Sequence, residues 1–324
     1  MRIPIKTFRS ALPTLIIVSF VLGSCSNDTS QEQEEQGTVE DSVITANNAA
    51  RLTAKKLYED YYLPATSTSS DAAWNGDEPS CNAGNVSQGT KDKILMRLTY
   101  YRKAVGLENE ISEDPTKSAK AQQAALMMNS NNALNHFPPD TWKCYTSEGD
   151  EGAGNSLLAL SKNAEAINAY VRDQGAANGP VGHRRWLLWP RLQEIGIGNT
   201  DRSNAIWVLG NAGAVPADAP EFIAWPPKGY VPNDLVFPRW SFSIANADFN
   251  STSIVMKDGN GQNISISIET LNNAFGDRTI VWVPRGIATN TPTDTSYRVT
   301  LDNVIVGGES RSYEYEVILF DASN

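Results

Sequence analysis

Apolar positions between about residue 50 and residue 210 recur first at helical and then at strand spacing, and beyond residue 235 only strand spacing remains. Ala50, Ala54, Leu57 and Tyr61 predict a short amphipathic helix. In "TKDKILMRLTYYRKAVGL" the stripe is denser. Ile94, Leu95, Leu98, Tyr101 and Val105 share a face, Thr90 is placed to cap it and Gly106 to stop it. In "EDPTKSAKAQQAALMM" Asp114 is a fitting N-cap, Pro115 opens the first turn, and Ala121, Ala124, Ala125 and Met128 line one side. Ile167, Tyr170 and Val171 in "NAEAINAYVRDQG" predict a further helix. "GHRRWLLWP" reads as a short helix ended by Pro190, and "EIGIG" and "AIWVLG" as buried strands.

Two stretches lack periodicity. "LPATSTSSDAAWNGDEPS" breaks regular structure, and "AGAVPADAPEFIAWPPKGYVPNDLVFP" is Pro-rich and reads as a surface linker. After it come "WSFSI", "TSIVMKD", "NISISIET", "TIVWVP", "SYRVTLDNVIV" and "YEYEVILF", with "DGNG" (Asp258 to Gly261) as a hairpin turn between two of them. Tyr313, Tyr315 and Val317 alternate with Glu314 and Glu316, giving a dry and a wet face. The expected class is α+β: a helix-and-strand unit, then an all-β sandwich of immunoglobulin-like type. The predicted division is a signal segment over 1–24, an acidic disordered tether over 25–48, a first domain over 49–210, a linker over 211–234 and a β-sandwich over 235–324.

The N-terminus adds a location. Arg2, Lys6 and Arg9 precede "ALPTLIIVSFV", an apolar run too short to span a bilayer. "LGSC" follows directly and resembles the bacterial lipobox, in which the cysteine, here Cys25, carries lipid; the alternative is an ordinary signal peptide with a stray cysteine. Several acyl chains hold a protein firmly, at about 0.8 kcal/mol per buried methylene. The expectation is a lipid-anchored protein of a bacterial cell envelope, facing periplasm or exterior. The tether changes the reading of charge: six of the acidic residues behind the formal charge of −10 lie between residues 26 and 50, where Lys and Arg are absent until Arg51. The rest is only mildly negative, and nothing resembles the clustered basic footprint of nucleic-acid binding. Cys81 and Cys144 remain. In an exporting context they are expected to pair, closing 63 residues for roughly 4 kcal/mol in the chain-entropy model. A free buried pair or a metal site are the alternatives, and the lack of C-x-x-C spacing weakens the latter.

"YYRKAVGL", "AQQAALMM", "LNH" at His136 and "GHRRWLLWP…IGIG" occur in an order and spacing that resemble the CAP superfamily (cysteine-rich secretory proteins, antigen 5, pathogenesis-related proteins), over about residues 88–210 and within its bacterial SCP-like branch. The resemblance implies a three-layer α-β-α sandwich. It implies a cleft with two histidines, which fall on His136 and His183, the chain's only two. It implies two acidic residues as well. One falls on Asp173 in "AYVRD", where the family has Trp-x-x-Glu; the other would fall at Gly154 or Asn155 in "GAGNSLL", where no carboxylate stands. Glu148, Asp150 and Glu151 are near in sequence without a stated route to the cleft.

Two imidazoles and one carboxylate are the chemistry available. His136, His183 and Asp173 are the candidate metal ligands, for Zn²⁺ or another divalent ion, and the candidate catalytic residues. Each histidine also has a plain reading, as a hydrogen-bond donor to a carbonyl beside a helix end. Of Arg184 and Arg185, one is expected at the surface and the other against Asp173 or a helix terminus; Trp186, Leu187 and Leu188 read as core. Ser156 with His183 and Asp173 is possible by arithmetic, but no G-x-S-x-G elbow, H-E-x-x-H or P-loop accompanies it. Two functions follow. The first is a non-enzymatic binding module for a small apolar ligand, a glycan or a partner protein, the sandwich acting as spacer or second binding unit. The second is a metal-assisted hydrolase or peptidase using His136, His183 and Asp173. The missing carboxylate favours the first.

Overall fold

The computed structural model describes residues 39–68, 71 and 74–323, with side chains from residue 46 onward. The signal segment 1–24, the lipidation candidate Cys25 and most of the tether lie outside the described residues. Helix α1 (Val39–Leu57) begins inside the stretch expected to be disordered, so the tether's last ten residues, 39–48, are helical. Among the described residues no helix is long and apolar enough to cross a membrane.

The first sheet has the order β1-β3-β4-β2, built from β1 (Ser112–Glu113), β2 (Ser156–Ala159), β3 (Glu194–Asn199) and β4 (Asn204–Trp207). Only the β1–β3 pair is parallel. Helices α2 (Gln88–Ala104) and α5 (Asn163–Arg172) cover one face, where Ile94, Leu98, Ile167 and Val171 pack with Leu157, Ile195, Ile197 and Ile206. Helix α3 (Pro115–Asn131) covers the other, where Ala121, Ala124, Ala125 and Met128 pack with Leu158, Ala205 and Trp207. Asp114 caps α3 as expected, accepting from the amides of Thr116 and Lys117. The cap of α2 is Ser87, three residues before Thr90, whose amide it accepts.

Strand alternation explains "EIGIG". Ile195 and Ile197 face α2 and α5, whereas Gly196 and Gly198 face α3. A Cβ on Gly198 would lie 2.1 Å from the Ala121 carbonyl oxygen, so the helix rests on bare strand backbone. The same device seats α4 (Ser147–Asn155), a helix the pattern did not predict: a Cβ on Gly152 would lie 2.3 Å from the Lys120 carbonyl oxygen of α3. The Cys81–Cys144 disulfide forms, with Cα atoms 5.1 Å apart.

The C-terminal half contains two four-stranded sheets. One has the order β5-β7-β10-β9, from β5 (Ile223–Trp225), β7 (Trp240–Ile244), β9 (Ile266–Ile268) and β10 (Arg278–Pro284). The other has the order β6-β12-β11-β8, from β6 (Gly229–Pro232), β8 (Ser253–Asp258), β11 (Thr295–Val306) and β12 (Glu309–Phe320). The expected linker therefore supplies a strand to each sheet. Both are edge strands, where Pro is tolerated because no donor is needed on the outer side. The Asp258–Gly261 turn closes a short hairpin, in which the Asp258 amide donates to the Gln262 carbonyl and the Ile264 amide to the Met256 carbonyl, before the chain changes sheet at β9. Tyr313, Tyr315 and Val317 are buried and Glu314 and Glu316 exposed, as the alternation predicts.

The residues from Val43 onward form one compact unit. A single apolar cluster runs from α2 and α5 through Trp225, Trp240 and Phe242 to Tyr315 and Val317. Tyr101 and Trp225 meet across it with ring centroids 5.0 Å apart.

Candidate functional site

Helix α5 ends at Asp173, whose backbone is left-handed (φ 51°) and whose amide still bonds the Ala169 carbonyl at 2.9 Å. That turn sends the chain to Ala176–Asn178, a single 3-10 turn, and on to α6 (Gly182–Leu187). It also folds the Asp173 carboxylate back onto the start of α6. Oδ2 accepts from the amides of His183 at 2.9 Å and Arg184 at 3.4 Å, and Oδ1 accepts from His183 Nδ1 at 2.7 Å. Asp173 is 1% exposed and does not line the cleft. The expected third ligand is therefore a residue that positions His183 from behind.

His136 sits in the loop after α3, and its Nδ1 is 3.0 Å from the Ala153 carbonyl oxygen. A carbonyl can only accept, so Nδ1 carries the proton; the carboxylate imposes the same tautomer on His183. In its neutral form each imidazole is thus left with an unprotonated Nε2. His183 is further held by Tyr170, whose ring stacks on it at 5.6 Å and whose hydroxyl donates to the Leu157 and Asn204 carbonyls at 3.0 Å. Burial pushes the Tyr170 phenol well above its ordinary pKa, so it acts as a fixed donor.

The two histidines, 47 residues apart in the chain, line one cavity of about 420 Å³. Its walls are largely apolar: Phe137, Leu157, Pro180, Trp186, Val208, Leu209 and Phe275. No carboxylate, lysine or arginine is among its lining residues. Glu151 instead pairs with Lys120 on the outside, and neither Glu148 nor Asp150 lines the cavity. At Gly154 the nearest atom to an added Cβ is the His136 carbonyl oxygen, 3.6 Å away. Ser156 lines the cavity too, with its Oγ buried and unpartnered; it makes no hydrogen bond to His183.

A resident divalent ion finds two nitrogens here. Among the described residues no group of three or more His, Cys, Asp or Glu side chains is placed to hold a metal. Catalytic zinc takes three protein ligands and water. The residues present do not make that set, because the Asp173 carboxylate is engaged with His183 Nδ1 and the amides of His183 and Arg184.

Several side chains differ from expectation. Arg184 and Arg185 are both buried, at 1% and 5% exposure, with neither at the surface. Arg184 donates to the Val171, Arg239 and Arg172 carbonyls and to Ser241 Oγ, and Arg185 to the Asn272 and Asp277 carbonyls. Burial lowers each guanidinium's pKa to about 10. Leu187 and Leu188 are core, but Trp186 is half-buried and faces the cavity. Phe137, 81% exposed, stands at its rim beside His136. Asn272 and Phe275 were not anticipated at all. They arrive from the C-terminal half, 89 and 92 residues after His183, in a loop with no periodic signal.

The family model described as "CAP: Cysteine-rich secretory protein family" matches residues 95–209. Among solved structures, an extracellular protein containing a SCP domain from Bacillus anthracis str. Ames, determined at 1.5 Å resolution, is similar at 16% identity with a TM-score of 0.27. That match covers 39% of this chain and 45% of the other, less than half of its length. No curated protein matches the chain.

Proposed function

We propose that the chain, whose residues 95–209 match the model of the cysteine-rich secretory protein (CAP) family, is an extracellular binding module, held to a bacterial cell envelope by lipid on Cys25. Its ligand is a small, mostly apolar molecule with one polar group. The observation that carries this reading is the cavity itself. At about 420 Å³ it falls within the range of small-molecule sites, roughly 300–1,000 Å³. His136 and His183 both line it among largely apolar walls, and no lining side chain is a carboxylate, lysine or arginine. The lipobox-like "LGSC" and the Cys81–Cys144 disulfide support the location, since disulfides persist in oxidising compartments.

The C-terminal half reads as an immunoglobulin-like sandwich. The orders β5-β7-β10-β9 and β6-β12-β11-β8 correspond to the two sheets of that topology, with the first strand divided between them. The parallel β6–β12 pair is where such a division places its second piece.

The alternative, a metal-assisted hydrolase using His136, His183 and Asp173, requires Asp173 to leave His183 and two amides. One experiment separates the readings. The full chain, dialysed against Zn²⁺ and then against buffer, is assayed for retained metal beside His136→Ala. Less than stoichiometric retention, unchanged by the substitution, is expected. Stoichiometric zinc in the wild type that disappears from the variant would overturn the binding-module reading in favour of the hydrolase.

A further inference from the structure

We infer that the β9–β10 loop, Leu271 to Asp277, is the specificity wall of the histidine cleft, with Phe275 selecting ligands that carry a flat apolar section. This rests on the cleft being a ligand site, and it assigns to the C-terminal half a task other than spacing.

The first ground is contact. Phe275 lies against Gly182, the residue before His183: a Cβ there would sit 3.1 Å from three ring carbons. Only a glycine lets the ring come so close to the start of α6. Phe275 and Asn272 line the cavity that His136, His183 and Trp186 line from the first half.

The second ground is the way the loop is held. Arg185 donates from Nη1 to the Asn272 carbonyl and from Nη2 to the Asp277 carbonyl, each at 2.7 Å, so one planar fork grips both ends of the loop. Its guanidinium lies 5.5 Å from the centre of the Phe275 ring. Trp189 Nε1 donates to Asp277 Oδ1 at 3.0 Å, and the Ala274 amide to Asn272 Oδ1 at 2.8 Å. Gly276 passes in a left-handed conformation (φ 41°) where a Cβ would be 3.1 Å from the Arg185 carbonyl oxygen. A buried arginine devoted to neutral carbonyls is an expensive way to join two units that already share an apolar core. It is a direct way to fix a loop.

The third ground is a matching grip on the other side. Arg239, from the strand side, donates to the Asp173 carbonyl and the Gly175 carbonyl at 2.9 Å each, and pairs with Glu269 at 2.9 Å. The C-terminal half thus holds the turn that carries Asp173, which orients His183, as well as the loop that carries Phe275.

The ligand chemistry follows from the lining. Phe275 and Trp186 offer aromatic surface, the imidazoles offer acceptors, and nothing offers a fixed charge. A planar amphiphile fits this better than a flexible chain, which would gain no ring contact. The test uses two neutral probes on the full chain, each with one hydroxyl to donate: 2-naphthol, which is planar, and 1-decanol, which is flexible. Binding is read by calorimetry and by the imidazole NMR signals of the two histidines. Phe275→Ala and Phe275→Leu are expected to weaken 2-naphthol about tenfold and 1-decanol less than about threefold, while Phe275→Trp keeps the wild-type preference. Phe275→Leu keeps the apolar bulk, so it guards against a merely unfolded loop. If both probes bind the wild type and move the imidazole signals, but Phe275→Ala and Phe275→Leu leave the ratio of affinities unchanged, the wall is refuted and the cleft reading stands. If neither probe binds or moves those signals, the cleft reading fails, and the wall with it.

Discussion

Asp173→Asn tests the central geometry with almost no change of shape. The Asp173 carboxylate has two jobs. Oδ2 faces two backbone amides, at 2.9 and 3.4 Å, which can only donate. Oδ1 faces His183 Nδ1 at 2.7 Å. An asparagine has one oxygen and must turn it to the amides. Its NH₂ then faces Nδ1, which has to become the acceptor, and the proton moves to Nε2. The substitution therefore reverses the tautomer of His183 and puts a donor where the cleft had an acceptor. His136 is unaffected, because the Ala153 carbonyl fixes it independently. Stability should fall by about 2–4 kcal/mol, from the loss of charge-assisted hydrogen bonds and of the anion nearest the buried Arg184 guanidinium. The assay is long-range ¹H–¹⁵N correlation of the ¹⁵N-histidine protein above the imidazole titration range, with urea unfolding alongside. Only two imidazoles contribute, so each signal is assigned by deleting the other. A folded variant whose His183 keeps its proton on Nδ1 would refute the reasoning.

Three further outcomes follow from the same contacts. Gly152→Ala should lower the unfolding midpoint by an amount equivalent to about 1–3 kcal/mol, because its Cβ meets the Lys120 carbonyl oxygen at 2.3 Å; Gly154→Ala, with its nearest neighbour at 3.6 Å, should be neutral or up to about 1 kcal/mol stabilising in the same denaturant series. Replacing Cys81 and Cys144 together by serine should cost roughly 4 kcal/mol for a 63-residue closure, and reductant should then no longer shift the urea curve. Burial holds the Asp277 carboxyl above its ordinary range, so its stabilising protonation is complete below the unfolded value, about 3.9, and is lost as pH rises through the folded one. Asp277→Asn keeps an acceptor for Trp189 and should be more stable than wild type at neutral pH, the difference closing as pH falls below about 4 when unfolding is followed across pH.

What the sequence discloses depends on how local the cause is. The Asp114–Pro115 start, the Tyr313/Tyr315/Val317 alternation and the pairing of Cys81 with Cys144 are legible because capping, pleating and compartment act through neighbours or through simple counting. His136 and His183 are legible through motif order. Helix α4 is hidden because "GDEGAGN" has the wrong propensity for a helix; its glycines serve close approach to α3, a tertiary reason. Strands β5 and β6 are hidden by prolines that edge positions tolerate. Phe275 carries no local signal, since only the folded chain brings it to Gly182. Asp173 was found, but its direction was not: a left-handed residue at the end of α5 turns it behind His183.

The apolar cluster that passes without interruption from α2 through Trp225 to β12 has a consequence for how the molecule comes apart. Cutting the chain near residue 211 would strip Tyr101 of its indole partner and leave the Arg184 guanidinium without its Arg239 and Ser241 acceptors. The two halves are therefore expected to melt as one unit, with a single cooperative heat absorption in calorimetry, and neither is expected to serve as a portable module for transplantation into another protein.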